Sequence, residues 1–159
     1  MEKIRKNIFE TNSSSTHALV IGDFEGKDYA PYGKNLMIRW IDTNEETHLS
    51  SLKDKVSYLV SHIASWYKWD CVDYEDLLDE VKKNRDFIRI KEYVKENYNK
   101  EIVFPKYDGN IEDIVSINHQ LVSWEHSLDE ILDDLISRDN RDLLDKVLQN
   151  GNYIEIGFD

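Results

Sequence analysis

Short apolar stretches separated by turn residues mark the N-terminal part of the chain. The pattern predicts strands at residues 4–9, 17–21 and 34–41, each bounded by polar or glycine-containing turns. In the third strand, Leu36, Ile38 and Trp40 fall on one face. The first two strands can pair as a hairpin, although the seven residues between them exceed the tight turns that fix register.

Apolar residues at helical spacing dominate the middle of the chain. Ser51, followed three residues later by Asp54, resembles a capping box and predicts the start of a long helix. The apolar stripe of that helix is Leu52, Val56, Leu59, Val60 and Ile63. Asp73 is predicted to cap a second helix, and residues 86–99 are predicted to form a third. The residues of the second helix expected to face inward are Leu77, Leu78 and Val81.

Beyond the third helix the pattern alternates between strand and helix. The predicted elements are a strand at 101–104, helices at 128–136 and 141–148, and a strand at 153–158. Residues 111–122 fit either a helix or a strand. The whole pattern predicts one α+β domain over residues 1–159. In this domain a small mixed or antiparallel sheet of N- and C-terminal strands packs against a helical middle.

Composition narrows the class of protein. The chain of 159 residues is 40% hydrophobic and 33% charged, as expected for a folded cytoplasmic protein. No apolar run reaches the roughly 20 residues that a membrane span needs, and no secretory signal is recognisable. The single cysteine, Cys71, excludes an internal disulfide and a cysteine-based zinc site. A net charge of −12 argues against direct binding to nucleic acid.

The most distinctive stretch is residues 11–17, TNSSSTH, called here the polar segment. It carries five hydroxyls, one amide and one imidazole in seven residues. Three interpretations are open: a turn that caps itself, a site for a phosphorylated ligand or nucleotide, or a serine nucleophile activated by His17. The candidate ligand-binding residues are Asn12, Ser13, Ser14, Ser15, Thr16, His17 and Gln120.

The polar segment also carries a resemblance. Residues 9–17 are similar to the FETNSSSTHS-like opening of small, largely uncharacterised proteins of phages and Gram-positive bacteria, with Ala18 where a serine is expected. The resemblance covers only this stretch and implies a shared site without an activity. It suggests an accessory protein of a phage or mobile element with a counter-defence role, acting in the host cytoplasm.

Histidines are the candidate catalytic groups. His17 and His119 could bracket a phosphoester, one as base and one as acid; the alternative is that each is an isolated histidine. Asn118 stands where the resembled proteins carry an aspartate beside this second histidine. His119 and His126 lie too far apart on a helix to share an ion, and His48 and His62 lack neighbouring ligands, so neither metal nor cofactor is expected. Whether the protein is an enzyme stays open.

Acidic residues give the second functional lead. Residues 110–150 carry ten acidic and three basic side chains, a local net charge of −7. The candidate protein-binding residues there are Glu125, Asp129, Asp133 and Asp134. They form either an ordinary solvated face or a nucleic-acid-like surface that captures a basic host protein.

Residues 73–100, with eight acidic and seven basic side chains, are nearly neutral and indicate solvated helix faces. The aromatic residues expected in the core are Trp66, Tyr67 and Trp69.

Overall fold

The protein combines two small sheets with helices in an α+β fold, as the sequence predicts. The computed structural model describes residues 2–4, 15–21, 32–42, 48–114, 141–149 and 151–158. The strands are β1 (Glu2–Ile4), β2 (Ser15–Ile21), β3 (Asn35–Met37), β4 (His48–Leu49), β5 (Glu101–Val103) and β6 (Tyr153–Phe158). The helices are α1 (Leu52–Tyr67), α2 (Tyr74–Lys83), α3 (Arg85–Tyr98) and α4 (Arg141–Leu148), with a 3₁₀ turn at Ile111–Asp113.

The larger sheet joins the N- and C-terminal strands in the order β1-β2-β6-β4, and every pair is antiparallel. The predicted pairing of the first two strands is confirmed, with Glu2 opposite Ile21. The first strand was predicted at residues 4–9; the structure describes a strand at Glu2–Ile4, and residues 5–9 lie outside the described residues. The second begins at Ser15, two residues earlier than predicted.

The smaller sheet is a parallel pair, β3 and β5, with Asn35 opposite Glu101. The chain leaves β3, passes through β4, α1, α2 and α3, and returns as β5. Parallel strands need such a long crossover connection, because a hairpin can join only antiparallel strands. The two predicted strands are therefore confirmed, but they form a sheet of their own instead of joining the terminal strands.

The starts of α1 and α2 follow the caps that the sequence predicts, whereas the cap of α3 was not predicted. The Ser51 hydroxyl accepts a hydrogen bond from the Asp54 backbone N–H at 3.0 Å, and the Asp73 carboxylate accepts one from Asp76 N–H at 2.9 Å. Asn84, where α2 ends, caps α3 through its side-chain oxygen. Each cap satisfies a donor that a helix N-terminus otherwise leaves unpaired. These caps explain why the helix boundaries could be read from local sequence.

The core lies around α1, whose predicted apolar stripe is buried. Helices α2, α3 and α4 and strand β4 all contact α1, and Ile154 of β6 belongs to the same core. Buried members include Leu36, Ile38, Leu49, Val56, Ile63, Leu77, Val81, Ile90, Val94, Leu148 and Ile154. Each such side chain contributes roughly 1.5–3 kcal/mol by leaving water. This core holds both ends of α1 in place.

Helix α1 also carries buried polar groups that fasten the rest of the fold to it. The hydroxyls of Ser57 and Ser61, one turn apart, accept hydrogen bonds at 3.0 Å from the backbone N–H groups of Arg39 and Ile41. The side chain of Lys55 is 1% exposed and bonds to carbonyl oxygens just beyond α4. The segment after β3 and the turn before β6 are thereby fixed to the same helix.

The structure describes little of residues 111–136, where two elements were predicted. The ambiguous stretch 111–122 begins with the 3₁₀ turn, and its remainder lies outside the described residues. The helix predicted at 128–136 also lies outside them. Among the described helices, none is long and apolar enough to cross a membrane.

Candidate functional site

The C-terminal part of the polar segment belongs to a strand. Ser15, Thr16 and His17 are the first residues of β2, opposite Phe158, Gly157 and Ile156 of β6. The sequence predicted a loop up to the start of the second strand at His17, and for Ser15 and Thr16 that prediction is wrong. In an antiparallel ladder, alternate residues bond their N–H and C=O groups to the partner strand. A phosphate cradle built from consecutive backbone N–H groups therefore does not extend into this part of the segment.

The register of β2 and β6 contains one position without a side chain. Gly157 lies opposite Thr16, between the pairs Ser15–Phe158 and His17–Ile156. Glycine within a strand often marks a point where a ligand or another backbone approaches closely. Thr16, in the hydroxyl-rich end of β2, is therefore paired with a glycine in the register with β6.

Most of the other residues predicted to form a site lie outside the described residues. This holds for Asn12, Ser13, Ser14, His119 and Gln120, so the proposed pairing of His17 with His119 stays a prediction. It holds equally for the acidic residues Glu125, Asp129, Asp133 and Asp134.

The two histidines in the described ranges 32–42 and 48–114 pack against tyrosines. His62 is fully buried on α1 with its ring 4.6 Å from that of Tyr58, and burial raises the pKa of Tyr58. His48 on β4 stacks on Tyr153 at 4.2 Å. Within the part of the chain that the structure describes, no group of three His, Cys, Asp or Glu side chains could hold a metal ion.

A surface that the sequence did not single out is formed by the turn after α1 and the exposed residues at the start of α2. Residues 69–80, called here the α1–α2 surface, begin where α1 has ended. Trp69 is 65% exposed and Val72 is 88% exposed. The prediction that Trp69 packs in the core is wrong, whereas Trp66 and Tyr67 are partly buried against the core as predicted. Two large apolar side chains thus face solvent within four residues.

Hydrogen bonds to the backbone hold this turn in one conformation. The Asp70 N–H donates to the carbonyl of Tyr67 at 2.9 Å, and the Val72 N–H donates to the Asp76 carboxylate at 3.0 Å. Asp76 is itself tied by its own N–H to Asp73. Local side-chain bonds of this kind give a loop a defined shape. The exposed apolar residues are therefore carried on an ordered turn.

The charges of the α1–α2 surface all have one sign. Its members Asp70, Asp73, Glu75, Asp76, Asp79 and Glu80 are acidic, and the same residues include no lysine or arginine. Burial, together with repulsion from the carboxylates of Asp76, Glu80, Asp70 and Asp73, raises the pKa of the Cys71 thiol. Residues 73–100 have a net charge near zero, as expected, but their charges are not evenly spread. The first part, up to Glu80, is acidic, and basic side chains predominate after it. A thiol in this setting is poorly suited to act as a nucleophile.

Lys68 stands at the edge of this surface. Its ammonium lies 4.8 Å from the centre of the Trp69 ring and donates a hydrogen bond of 2.8 Å to the Glu112 carbonyl. Burial lowers the pKa of Lys68, while the nearby carboxylates of Asp113 and Glu112 oppose that change. The Trp69 ring thus already attracts one cation from within the chain.

Half-buried aromatic rings border the same surface. Trp40 stacks on Phe104 with 6.0 Å between ring centres, and Tyr74 lies 5.6 Å from Tyr107. The Tyr74 hydroxyl donates to the Pro105 carbonyl, which fixes the start of α2 against the segment after β5. These rings pack against the core and so connect the α1–α2 surface to it.

Comparisons with known proteins add nothing to this picture. Neither family models, nor curated proteins, nor solved structures give a match to the chain.

Proposed function

We propose that this protein binds a basic protein partner through its acidic surface. The observation that carries the proposal is the α1–α2 surface, where Trp69 and Val72 are exposed and residues 69–80 include six carboxylates but no lysine or arginine. Protein interfaces commonly combine such an apolar centre with a charged rim. The acidic residues Glu125, Asp129, Asp133 and Asp134 are proposed as further contacts for the same basic partner.

Charge complementarity supports a basic partner over other classes of ligand. A chain with net charge −12 repels nucleic acid and attracts cationic surfaces over distances of about a Debye length. Clustered carboxylates also raise the rate of encounter with a basic protein, and salt weakens this effect. An inhibitor that occupies the nucleic-acid site of a basic host protein would have this electrostatic character.

The test compares two double variants, each of which reverses the charge of two carboxylates four residues apart on a helix. Glu75→Lys/Asp79→Lys reverses two exposed carboxylates one turn apart on α2, and Glu92→Lys/Glu96→Lys does the same on α3. Both variants change the net charge equally, so only the position of the charges differs. Binding to a labelled arginine- and lysine-rich peptide, measured by fluorescence anisotropy at low and high salt, should weaken about tenfold for the α2 variant only. Equal binding by the two variants, or no salt dependence, would refute the proposal.

A phosphorylated small ligand or nucleotide bound by the polar segment is the second candidate function. It is supported by the composition of the polar segment, which carries five hydroxyls, one amide and one imidazole in seven residues. The similarity of residues 9–17 to phage proteins favours a counter-defence role for such binding. If the ligand is turned over, His17 and His119 are the residues proposed to transfer protons.

Calorimetric titration with nucleotides tests this second function. The wild type should release heat that the Ser14→Ala/His17→Ala variant does not, provided that both proteins melt at the same temperature. Equal heats for the two proteins would show that the polar segment does not bind the ligand.

A further inference from the structure

We infer that the turn at residues 69–72 is the docking site for an arginine side chain of the basic partner. The inference rests on the proposed function and names the residues that would anchor the partner. The guanidinium would stack on the Trp69 ring, the aliphatic part of the arginine would contact Val72, and the Asp70 carboxylate would accept hydrogen bonds. Trp69, Val72 and Asp70 are all exposed.

The Trp69 ring is the central observation. Tryptophan attracts cations more strongly than the other aromatic side chains, and here Lys68 already lies 4.8 Å from the ring centre. The hydrogen bond from Lys68 to the Glu112 carbonyl holds that ammonium in place. With 65% of its surface accessible, Trp69 retains a large area for a second, external cation.

Val72 distinguishes an arginine-bearing protein segment from a simple cation. A metal ion or a free ammonium group gains nothing from an isopropyl group, whereas a side chain with three methylenes buries apolar surface against it. Val72 is 88% exposed, so nearly all of that surface is available. A guanidinium is also weakly hydrated and planar, which favours its stacking on an indole over that of a lysine ammonium.

The order of the turn lowers the cost of binding. The bonds from Asp70 N–H to Tyr67 and from Val72 N–H to Asp76 exist without a partner. A preformed site avoids the loss of conformational entropy that a mobile loop would suffer on binding. The backbone that carries Trp69 and Val72 is therefore held by hydrogen bonds before a partner binds.

The experiment uses two peptides of equal length and charge, one containing only arginine as its basic residue and the other only lysine. The full-length wild type should bind the arginine peptide several-fold tighter than the lysine peptide. The variant Trp69→Ala/Val72→Ser should bind the arginine peptide about tenfold more weakly than wild type and should lose the preference. The matched control Tyr32→Ala/Ile88→Ser removes two exposed apolar residues elsewhere and should bind as wild type does.

Single substitutions at position 69 give a second readout. Trp69→Phe keeps a weaker aromatic ring and should retain part of the arginine preference, whereas Trp69→Leu keeps apolar bulk without a ring and should lose it. If wild type binds the peptides but the 69/72 variant and the control bind equally well, the docking site is refuted and the proposed function stands. If wild type binds neither peptide at any salt concentration, the proposed function fails and the docking site fails with it.

Discussion

Lys55 donates a hydrogen bond from its ammonium to the carbonyl oxygen of Gln149, 94 residues further along the chain, at 2.8 Å. A second bond of 3.0 Å goes to the carbonyl of Asn152. These carbonyls follow the end of α4, where helices leave acceptors unpaired and favour a positive charge. A buried lysine on α1 thus serves as a C-terminal cap for another helix and positions the start of β6.

Lys55→Met should therefore destabilise the fold markedly. The substitution keeps the aliphatic bulk but leaves two carbonyl groups without this donor, which costs about 3 kcal/mol. Urea denaturation followed by circular dichroism measures the change. Lys53→Met is the matched control, since it removes the same charge from the same helix at a half-exposed position. Equal stability of the two variants would show that the Lys55 bonds contribute nothing net.

Removing the serine hydroxyls of α1 should loosen the segment after β3. Ser57→Ala and Ser61→Ala each leave one backbone N–H without its acceptor, at a cost of about 1–3 kcal/mol. The Ser61 variant should cost more, because its bond to Ile41 is buried and that of Ser57 is partly buried. Ser65→Ala is the control, since that hydroxyl only donates within its own helix. Thermal melting that ranked Ser65→Ala as the most destabilised would contradict this account.

Asn84 should stabilise the joint between α2 and α3 in two separable ways. Its side-chain oxygen accepts from the Asp86 and Phe87 N–H groups, and its amide nitrogen donates to the Tyr67 hydroxyl at 2.9 Å. Asn84→Ala removes both roles and should cost about 2 kcal/mol, whereas Asn84→Asp keeps the cap and should cost less than half as much. Chemical denaturation compares them. An aspartate variant as unstable as the alanine variant would assign the effect to the Tyr67 bond instead.

The thiol of Cys71 should react at a higher pH than that of a free cysteine, because its pKa is raised. Its raised pKa means that less thiolate is present at a given pH than for a free cysteine, so alkylation should be slower. Glu80→Gln removes a negative charge that repels the thiolate, so the apparent pKa should fall and alkylation at constant pH should speed up. Glu75→Gln, on the same helix, should leave the apparent pKa unchanged. The rate of iodoacetamide labelling against pH gives both values.

The helical part of the fold could be predicted because its signals are local. Ser51, Asp73 and Asn84 cap helices through bonds to residues two or three positions away, and the apolar spacing after each cap marks the buried face. Even the last strand and the Gly151 turn before it follow from neighbouring residues, and Gly151 adopts a φ of 89° that suits glycine. Such features need no knowledge of the distant chain.

The sheets could be predicted only in part, because pairing joins residues far apart. Nothing near Asn35 indicates that it lies beside Glu101 in a parallel pair. Strand β4 has only two residues, too few to show an alternating pattern. Its place in the sheet comes from the pairing of Leu49 with Ile154.

The α1–α2 surface escaped prediction for a different reason. Trp69 follows Trp66 and Tyr67 so closely that composition alone groups all three as core residues. Its exposure depends on the end of α1 at Tyr67, two residues earlier, after which the helical spacing no longer applies. A valine between aspartates, as in residues 70–73, is the one local sign that apolar and acidic groups share this turn.

The place of β6 in the larger sheet has a consequence for synthesis on the ribosome. This strand pairs with β2 on one side and β4 on the other, yet it follows all the other strands of the sheet along the chain. Until residues 153–158 emerge, β2 and β4 have no strand to join them, and their backbone groups stay open to pairing with other chains. Pairing of β6 with β2 must therefore come late and joins residues that are far apart in the sequence. Such long-range pairing slows folding, even though the helices can form early.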